Sequence, residues 1–158
     1  MSTALTAAAI LLEQQAASLP AKSDEMAKQA VTAIIQDLVL TTPVDTGTAL
    51  SNWQVTLDGP AVDVIPANVP SPKGRNVQGQ WSHSTDPSIT RQANASEVLS
   101  KTEAVLAAKQ PGQDVFITNN LDYISILNEG SSNQAPAGFV DRARLIAQSV
   151  LDSAQKLS

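Results

Sequence analysis

The stretch from residue 59 to residue 92 limits the fold more than any other part of the sequence. It holds five of the nine prolines and three of the seven glycines, without a helical period. Because proline breaks helices and cannot donate in a sheet, this pattern predicts an extended loop or arm, with room for a short strand over residues 62–65. Such a long connection is either an arm that lies on a neighbouring subunit or a mobile loop, and the sequence leaves both open.

Helical patterns lie on both sides of this stretch. The predicted helices cover residues 3–18, residues 23 or 24 to 40, residues 94 or 96 to 108, and residues 138 to nearly the C-terminus. In the second, Ala27, Val31 and Ile34 recur on one face at helical spacing, and Ser23 or Asp24 can cap its start. The first helix, within residues 1–20, is rich in alanine and can lie at the periphery of the domain.

Shorter patterns predict strands. Residues 51–57 alternate, with Trp53, Val55 and Leu57 on one face, and residues 114–118 are rich in β-formers. Residues 121–128 fit either a strand or a short helix. We therefore predict a single α+β domain over residues 1–158, in which amphipathic helices pack on a small, mostly antiparallel sheet, with a long proline-rich loop or arm.

Aromatic side chains are scarce, so the core must rest on Ala, Val, Ile and Leu. Hydrophobic residues make up 42% of the chain but aromatic residues only 3%. Trp53 and Phe139 fit the monomer core, whereas Trp81, in the arm, is the better interface candidate. A core of small side chains buries less area per residue, which favours further burial against partner subunits.

Charge and composition exclude several classes of protein. The net charge is −5 and the ten basic residues are scattered, which disfavours tight binding of nucleic acid. The absence of cysteine removes disulfides and thiolate chemistry, and it fits assembly in a reducing cytoplasm. No apolar run is long enough to span a bilayer, and the first residues lack the basic region of a signal peptide, so we expect a soluble, unexported protein.

Residues suited to catalysis are few. His83 is the only histidine, and a small hydrolase centred on it, with a serine and the aspartate of the W-S-H-S-T-D stretch at residues 81–86, is the alternative of another class. Such a group needs rigid supports, which a proline-rich loop does not offer. Asp24 and Asp45 are explained by capping of a helix and a turn. We predict no enzyme activity and no catalytic, cofactor-binding or metal-binding residues.

Two parts of the sequence are more specific. The first reads T-P-V-D-T-G at residues 42–47, followed by S-N-W at 51–53. The second reads I-T-N-N-L-D-Y at 117–123, then L-N-E-G-S-S at 127–132 and Q-A-P-A-G-F-V at 134–140. In this order and spacing they resemble the neck, or tail-completion, family of head–tail connector proteins in tailed bacteriophages. Asp122 replaces a proline often found before the tyrosine, and the arm matches nothing in that family.

The resemblance implies a structural virion protein. Such a protein forms a homo-oligomeric ring, expected to be a hexamer, that joins the head connector to the tail and lets DNA pass through its bore. Its partners would be itself and the neighbouring portal-side and tail proteins, with no membrane, and it would assemble in the host cytoplasm and reside in the neck of the virion. A tail terminator or tail-tube-associated component is the alternative within the same class.

The two parts also supply candidate residues. The structural turn is assigned to Pro43, Asp45, Thr46 and Gly47. The candidate interface residues are Trp81, Asn119, Asn120, Tyr123, Asn128, Gly130, Gln134, Ala135, Pro136 and Gly138. The 134–138 segment is stiff and has few bulky groups, so the backbone of a partner could approach it closely.

Overall fold

A computed structural model describes residues 20–68 and 87–156. In chain order the described elements are α1 (Pro20–Thr41), α2 (Thr48–Ser51), β1 (Gln54–Leu57), α3 (Pro87–Ala108), β2 (Val115–Thr118), α4 (Ile124–Asn128) and α5 (Phe139–Lys156). The two strands form an antiparallel sheet beside the helices, which confirms the α+β class. The helix predicted for residues 3–18 lies outside the described residues. Residues 121–128, left open between strand and helix, contain α4.

Helix α1 starts earlier than the sequence suggested. The helix begins at Pro20, and proline is well suited to the first helical position because no N–H is needed there. The expectation that Asp24 caps this helix is wrong. Asp24 lies inside the helix, and its carboxylate accepts a bond from the Lys109 Nζ at 2.5 Å. Lys109 is buried, so this ion pair ties the start of α1 to the end of α3.

The core lies where α1 packs against α3 and α5. Ala30 of α1 and Ala143 and Ala147 of α5 are almost completely buried, and such small side chains allow two helices to pack closely. Phe139 has no exposed surface and Trp53 only 4%, which confirms that both belong to the monomer core. Around them the core is aliphatic, as the composition predicts.

The prediction of a strand over residues 51–57 is only half right. The strand begins at Gln54, which pairs with Thr118, while residues 48–51 form the short helix α2. The reason is local: both the backbone N–H and the side-chain amide of Asn52 donate to the Thr48 carbonyl, at 3.1 and 2.8 Å. These bonds close a helical turn before the chain can extend.

The short strand considered for residues 62–65 is not formed. These residues belong to an irregular segment, residues 61–68, which we call the strap. The strap has no regular secondary structure, and side chains hold its backbone. The Asn52 amide pairs with Ile65 in both directions, accepting its N–H at 2.9 Å and donating to its carbonyl at 2.8 Å. The Gln54 amide donates to the Asp63 carbonyl at 2.8 Å, and the Asn120 amide donates to the Ala61 carbonyl at the same distance. An amide side chain carries both a donor and an acceptor, as a backbone peptide group does. These side chains therefore satisfy backbone groups of the strap that a neighbouring strand would otherwise bind.

Helix α3 begins at Pro87, so the irregular stretch ends before residue 92 and the helix starts seven residues earlier than Asn94. Asn94, one of the expected caps, is instead buried inside the helix. Its side-chain amide donates to the Thr90 carbonyl one turn back, at 2.9 Å, and its oxygen accepts the Ser51 hydroxyl at 2.7 Å. The polar residue therefore joins two elements rather than starting one.

Arg91 of α3 holds the C-terminal end of α1. One guanidinium nitrogen donates to the carbonyls of Val39, Leu40 and Thr42, at 3.1, 2.9 and 2.8 Å. The last carbonyls of a helix have no partner within the helix, and they carry the negative end of its dipole, so a cation is well placed there. Burial lowers the pKa of Arg91 from its usual value. An arginine guanidinium nevertheless stays protonated at neutral pH.

We expect Arg91→Ala to lower the free energy of unfolding by about 2 kcal/mol, because hydrogen bonds to a charged donor are lost and partly buried carbonyls are left without partners. Urea denaturation followed by circular dichroism measures this change. Arg144→Ala, at an exposed position of α5, is the control and should change stability by about 0.5 kcal/mol or less. Equal effects of the two substitutions would contradict the role given to Arg91.

Candidate interaction surface

The turn over residues 42–47 is fixed by buried contacts at both ends. Pro43 is buried and follows the end of α1, and Gly47 has φ +86°, a conformation that glycine adopts readily. The Thr42 hydroxyl donates to the Leu38 carbonyl at 2.6 Å and accepts the Trp53 indole N–H at 2.8 Å. The turn is therefore bonded directly to a core side chain.

Between these ends the turn presents polar residues. Asp45 and Thr46 are exposed, as their assignment to a turn predicts. The Thr46 hydroxyl shares a hydrogen bond of 2.9 Å with the Thr48 hydroxyl and accepts the Thr48 N–H at 3.4 Å. The exposed tip is thus held at the start of α2.

The two parts of the sequence that carry the family resemblance meet at this turn. The Val44 N–H donates to the Gln134 side-chain oxygen at 3.0 Å, across 90 residues of sequence. Val44 is buried, and Ala135, next to Gln134, belongs to the same core. The T-P-V-D-T-G turn and the Q-A-P-A-G segment consequently form one structural unit.

The two asparagines that follow β2 connect this unit to its neighbours. Asn119 is buried, and its amide donates to the Ala49 carbonyl in α2 at 2.9 Å. Asn120 donates to the strap, at the Ala61 carbonyl and more distantly at the Asp63 carbonyl. Consecutive residues in an extended segment point to opposite sides, which is why one asparagine faces inward to α2 and the other reaches the strap.

The loop between α4 and α5 is closed by Asn128. Its backbone carbonyl accepts the Gly138 N–H at 2.6 Å, and its side-chain oxygen accepts the Val140 N–H at 2.8 Å. The latter bond satisfies a donor in the first turn of α5, so Asn128 caps that helix from across the loop. Gly130 and Gly138 have φ of +94° and +77°, and a Cβ on Gly130 would lie 3.0 Å from the Ala137 Cβ, so the loop needs glycine at position 130.

Asn128→Ala should lower the free energy of unfolding by about 1–2 kcal/mol, the usual cost of losing a side-chain helix cap. It should also speed amide exchange at Val140, whose N–H loses its acceptor. Hydrogen exchange followed by nuclear magnetic resonance or mass spectrometry measures both. Asn133→Ala, at an exposed position of the same loop, is the matched control. If Val140 exchanged at the same rate in both variants, Asn128 would not be the cap.

We call residues 42–49, 61–65 and 119–138, which the bonds above join, the loop cluster. Four large hydrophobic side chains of the cluster are exposed: Val62, Val64, Tyr123 and Ile126. Val62 is 81% exposed and Tyr123 41%, and partial burial of the Tyr123 ring raises the pKa of its hydroxyl. Rigid segments that carry exposed apolar and aromatic groups suit protein–protein contact.

The candidate interface residues differ in their contacts and in their exposure within the chain. The side chains of Asn119, Asn120, Asn128 and Gln134 are bonded within the chain, and Ala135 is in the core. Tyr123 and Pro136 are exposed, and Trp81 lies outside the described residues. The contacts of all these residues with a partner subunit stay a prediction. Sequence reasoning missed Val62, Val64 and Ile126, although the alternation of the two valines was a visible signal.

Within residues 20–68 and 87–156, no group of three or more His, Cys, Asp or Glu side chains is arranged to hold a metal ion. No helix in the same ranges has both the length and the apolar character needed to cross a membrane. Ser82, His83 and Asp86 lie outside these ranges, so the alternative hydrolase site stays a prediction. Comparison with family models, with curated proteins and with solved structures finds no match to this chain.

Proposed function

We propose that this chain is a structural subunit of a tailed-phage virion, which forms a ring in the neck and joins the head connector to the tail. The observation that carries the proposal is the bond between Val44 and Gln134. The two sequence segments that resemble the neck family are far apart in the chain, yet they fold into one unit with a shared core. Because the two segments lie together, they can act as one surface in assembly.

The loop cluster supports a role in assembly. Its segments are held by hydrogen bonds before any partner binds, so little conformational freedom is lost when the surface is covered. Its exposed Val62, Tyr123 and Ile126 offer apolar area for that contact. In a closed ring each subunit uses two different faces, and we place the loop cluster on one of them.

The charge of the chain fits passage of DNA rather than binding. A net charge of −5 gives no excess of cations to neutralise phosphates. A mildly negative bore lets a duplex slide, whereas a basic bore would hold it. In the proposed ring, DNA is therefore a transient occupant.

Electron microscopy of particles made with and without this chain tests the proposal. Without it we expect filled heads and complete tails that do not join, and complementation with the natural chain should restore joined particles. Tyr123→Asp combined with Ile126→Asp should fail to complement, because charge is placed on the apolar surface. Ser100→Asp, at an exposed position of α3, is the control and should complement.

Two results would count against this function. Joined particles formed in the absence of the chain would contradict a neck role altogether. Tails of irregular length would instead assign the chain to the end of the tail tube, as a terminator, since a missing terminator leaves tube growth unchecked.

A further inference from the structure

A groove of about 460 Å³ lies between α1 and α3. On α1 it is lined by Lys28, Thr32 and Gln36, which are four residues apart and so follow one face of the helix. On α3 it is lined by Leu99, Thr102, Glu103, Leu106 and Ala107. The aliphatic stems of Lys28 and Gln36 add to these leucines, so the groove offers an apolar floor with polar groups along its edge.

We propose that this groove is filled by residues 3–18 of the same chain, folded back as a helix antiparallel to α1. The sequence places Leu5, Ala9, Leu12 and Ala16 at steps of four, three and four residues, which puts them on one narrow face of a helix. Leucine supplies apolar area, and alanine between the leucines lets the backbone come close. This face matches a groove floored by leucine.

The length and the entry point of the segment fit the groove. Lys28 lies eight residues beyond Pro20, about 12 Å along α1, and Gln36 lies about 24 Å along. A helix that ends near Ala16 leaves a reversal of the roughly two to five residues that helix hairpins use. Folded back from Pro20, its first residues then reach the middle of the groove, near Thr32, about 18 Å from Pro20.

The charges agree with this direction. Glu13 is the only ionisable side chain among residues 1–19. In the antiparallel arrangement Glu13 lies in the half of the segment closest to Pro20, and Lys28 lines the end of the groove closest to Pro20. Glu103, the carboxylate of the groove, lies about one turn of α3 further from that end, because the Lys109–Asp24 ion pair fixes the end of α3 beside the start of α1. The tether also favours the segment of the same chain over that of a second copy, because a short linker keeps it at a local concentration in the millimolar range.

Disulfide trapping tests the proposal directly, since the chain has no cysteine of its own. Thr32→Cys is combined with Leu5→Cys or with Ala9→Cys in the full chain, and each pair is oxidised at low protein concentration. A disulfide needs Cα atoms within about 7 Å of each other. We expect at least one of the two pairs to cross-link within a single chain about tenfold faster than the controls, because of the high local concentration.

The controls move one cysteine at a time. Ala7→Cys with Thr32→Cys keeps the first thiol at the level of Leu5 and Ala9 but places it on the opposite face of the helix. Ala9→Cys with Arg144→Cys moves the second thiol to an exposed site on α5. Cross-linking of both test pairs at the rate of the controls would overturn the proposal. Cross-linked dimers in place of a cross-linked single chain would also overturn it, because the groove would then take the segment of a second copy.

Discussion

Replacing Phe139 by alanine is expected to lower the free energy of unfolding by about 3–5 kcal/mol, the range found when a fully buried aromatic ring is removed. Phe139 has no exposed surface and belongs to the cluster where α5 meets α1. Few other aromatic residues are present, so aliphatic neighbours must collapse into the space, and they do so incompletely. Because small domains are stable by only about 5–15 kcal/mol, much of the folded population could be lost at 37 °C.

Urea denaturation at 25 °C measures this effect. Leu145→Ala is the matched control, since Leu145 is on the same helix but 71% exposed, and its loss should cost about 0.5 kcal/mol or less. Phe139→Leu, which refills most of the volume, should recover part of the loss. If Phe139→Ala and Leu145→Ala were equally stable, the packing of α5 described above would be wrong.

Replacement of residues 70–85 by eight residues of glycine and serine is expected to abolish ring formation and leave the monomer folded. The structure supports the second half of this expectation. The Ser51 hydroxyl accepts the Asn68 N–H at 3.0 Å and donates to the Asn94 side chain at 2.7 Å. Asn68 and Asn94, which lie on either side of the replaced stretch, are therefore held close to each other. Asn94 is seven residues from Pro87, about 10 Å along α3, a span that eight flexible residues can cover.

Two measurements test the two parts of this prediction, the folded monomer and the loss of the ring, separately. Urea denaturation should show a change in stability of about 1 kcal/mol or less, because the lengthening or shortening of a loop changes its closure entropy only slowly. Sedimentation should show the ring for the natural chain and a monomer for the variant. Rings of the variant would assign residues 70–85 to a loop without a role in assembly, and Trp81 would no longer be an interface residue.

The helices were the most predictable part of the fold. Apolar residues at steps of three and four placed α1, α3 and α5, and the burial of Val98, Leu106 and Phe139 follows that pattern. Their ends were less predictable because the signals compete. Pro20 and Pro87 break helices in general, yet both start helices here, and Asn94 resembles a cap but bonds within its own helix.

Local sequence patterns could not predict the contacts between residues that lie far apart in the sequence. The strap depends on Asn52 and Asn120, which lie 13 and 59 residues from the backbone carbonyls they bind. Arg91 binds carbonyls about 50 residues away. The family resemblance drew attention to Asn119, Asn120, Asn128 and Gln134, but it could not tell that their side chains would be bonded within the chain. Amide groups suit either use, and only the fold decides between them.

Native mass spectrometry of the purified chain over a range of concentrations tests the central claim, that this protein acts by assembling into a ring. The account predicts a single closed species, expected at six times the 16.5 kDa mass of the chain. Tyr123→Asp with Ile126→Asp should shift it to the monomer. A natural chain that stays monomeric at every concentration would contradict the account.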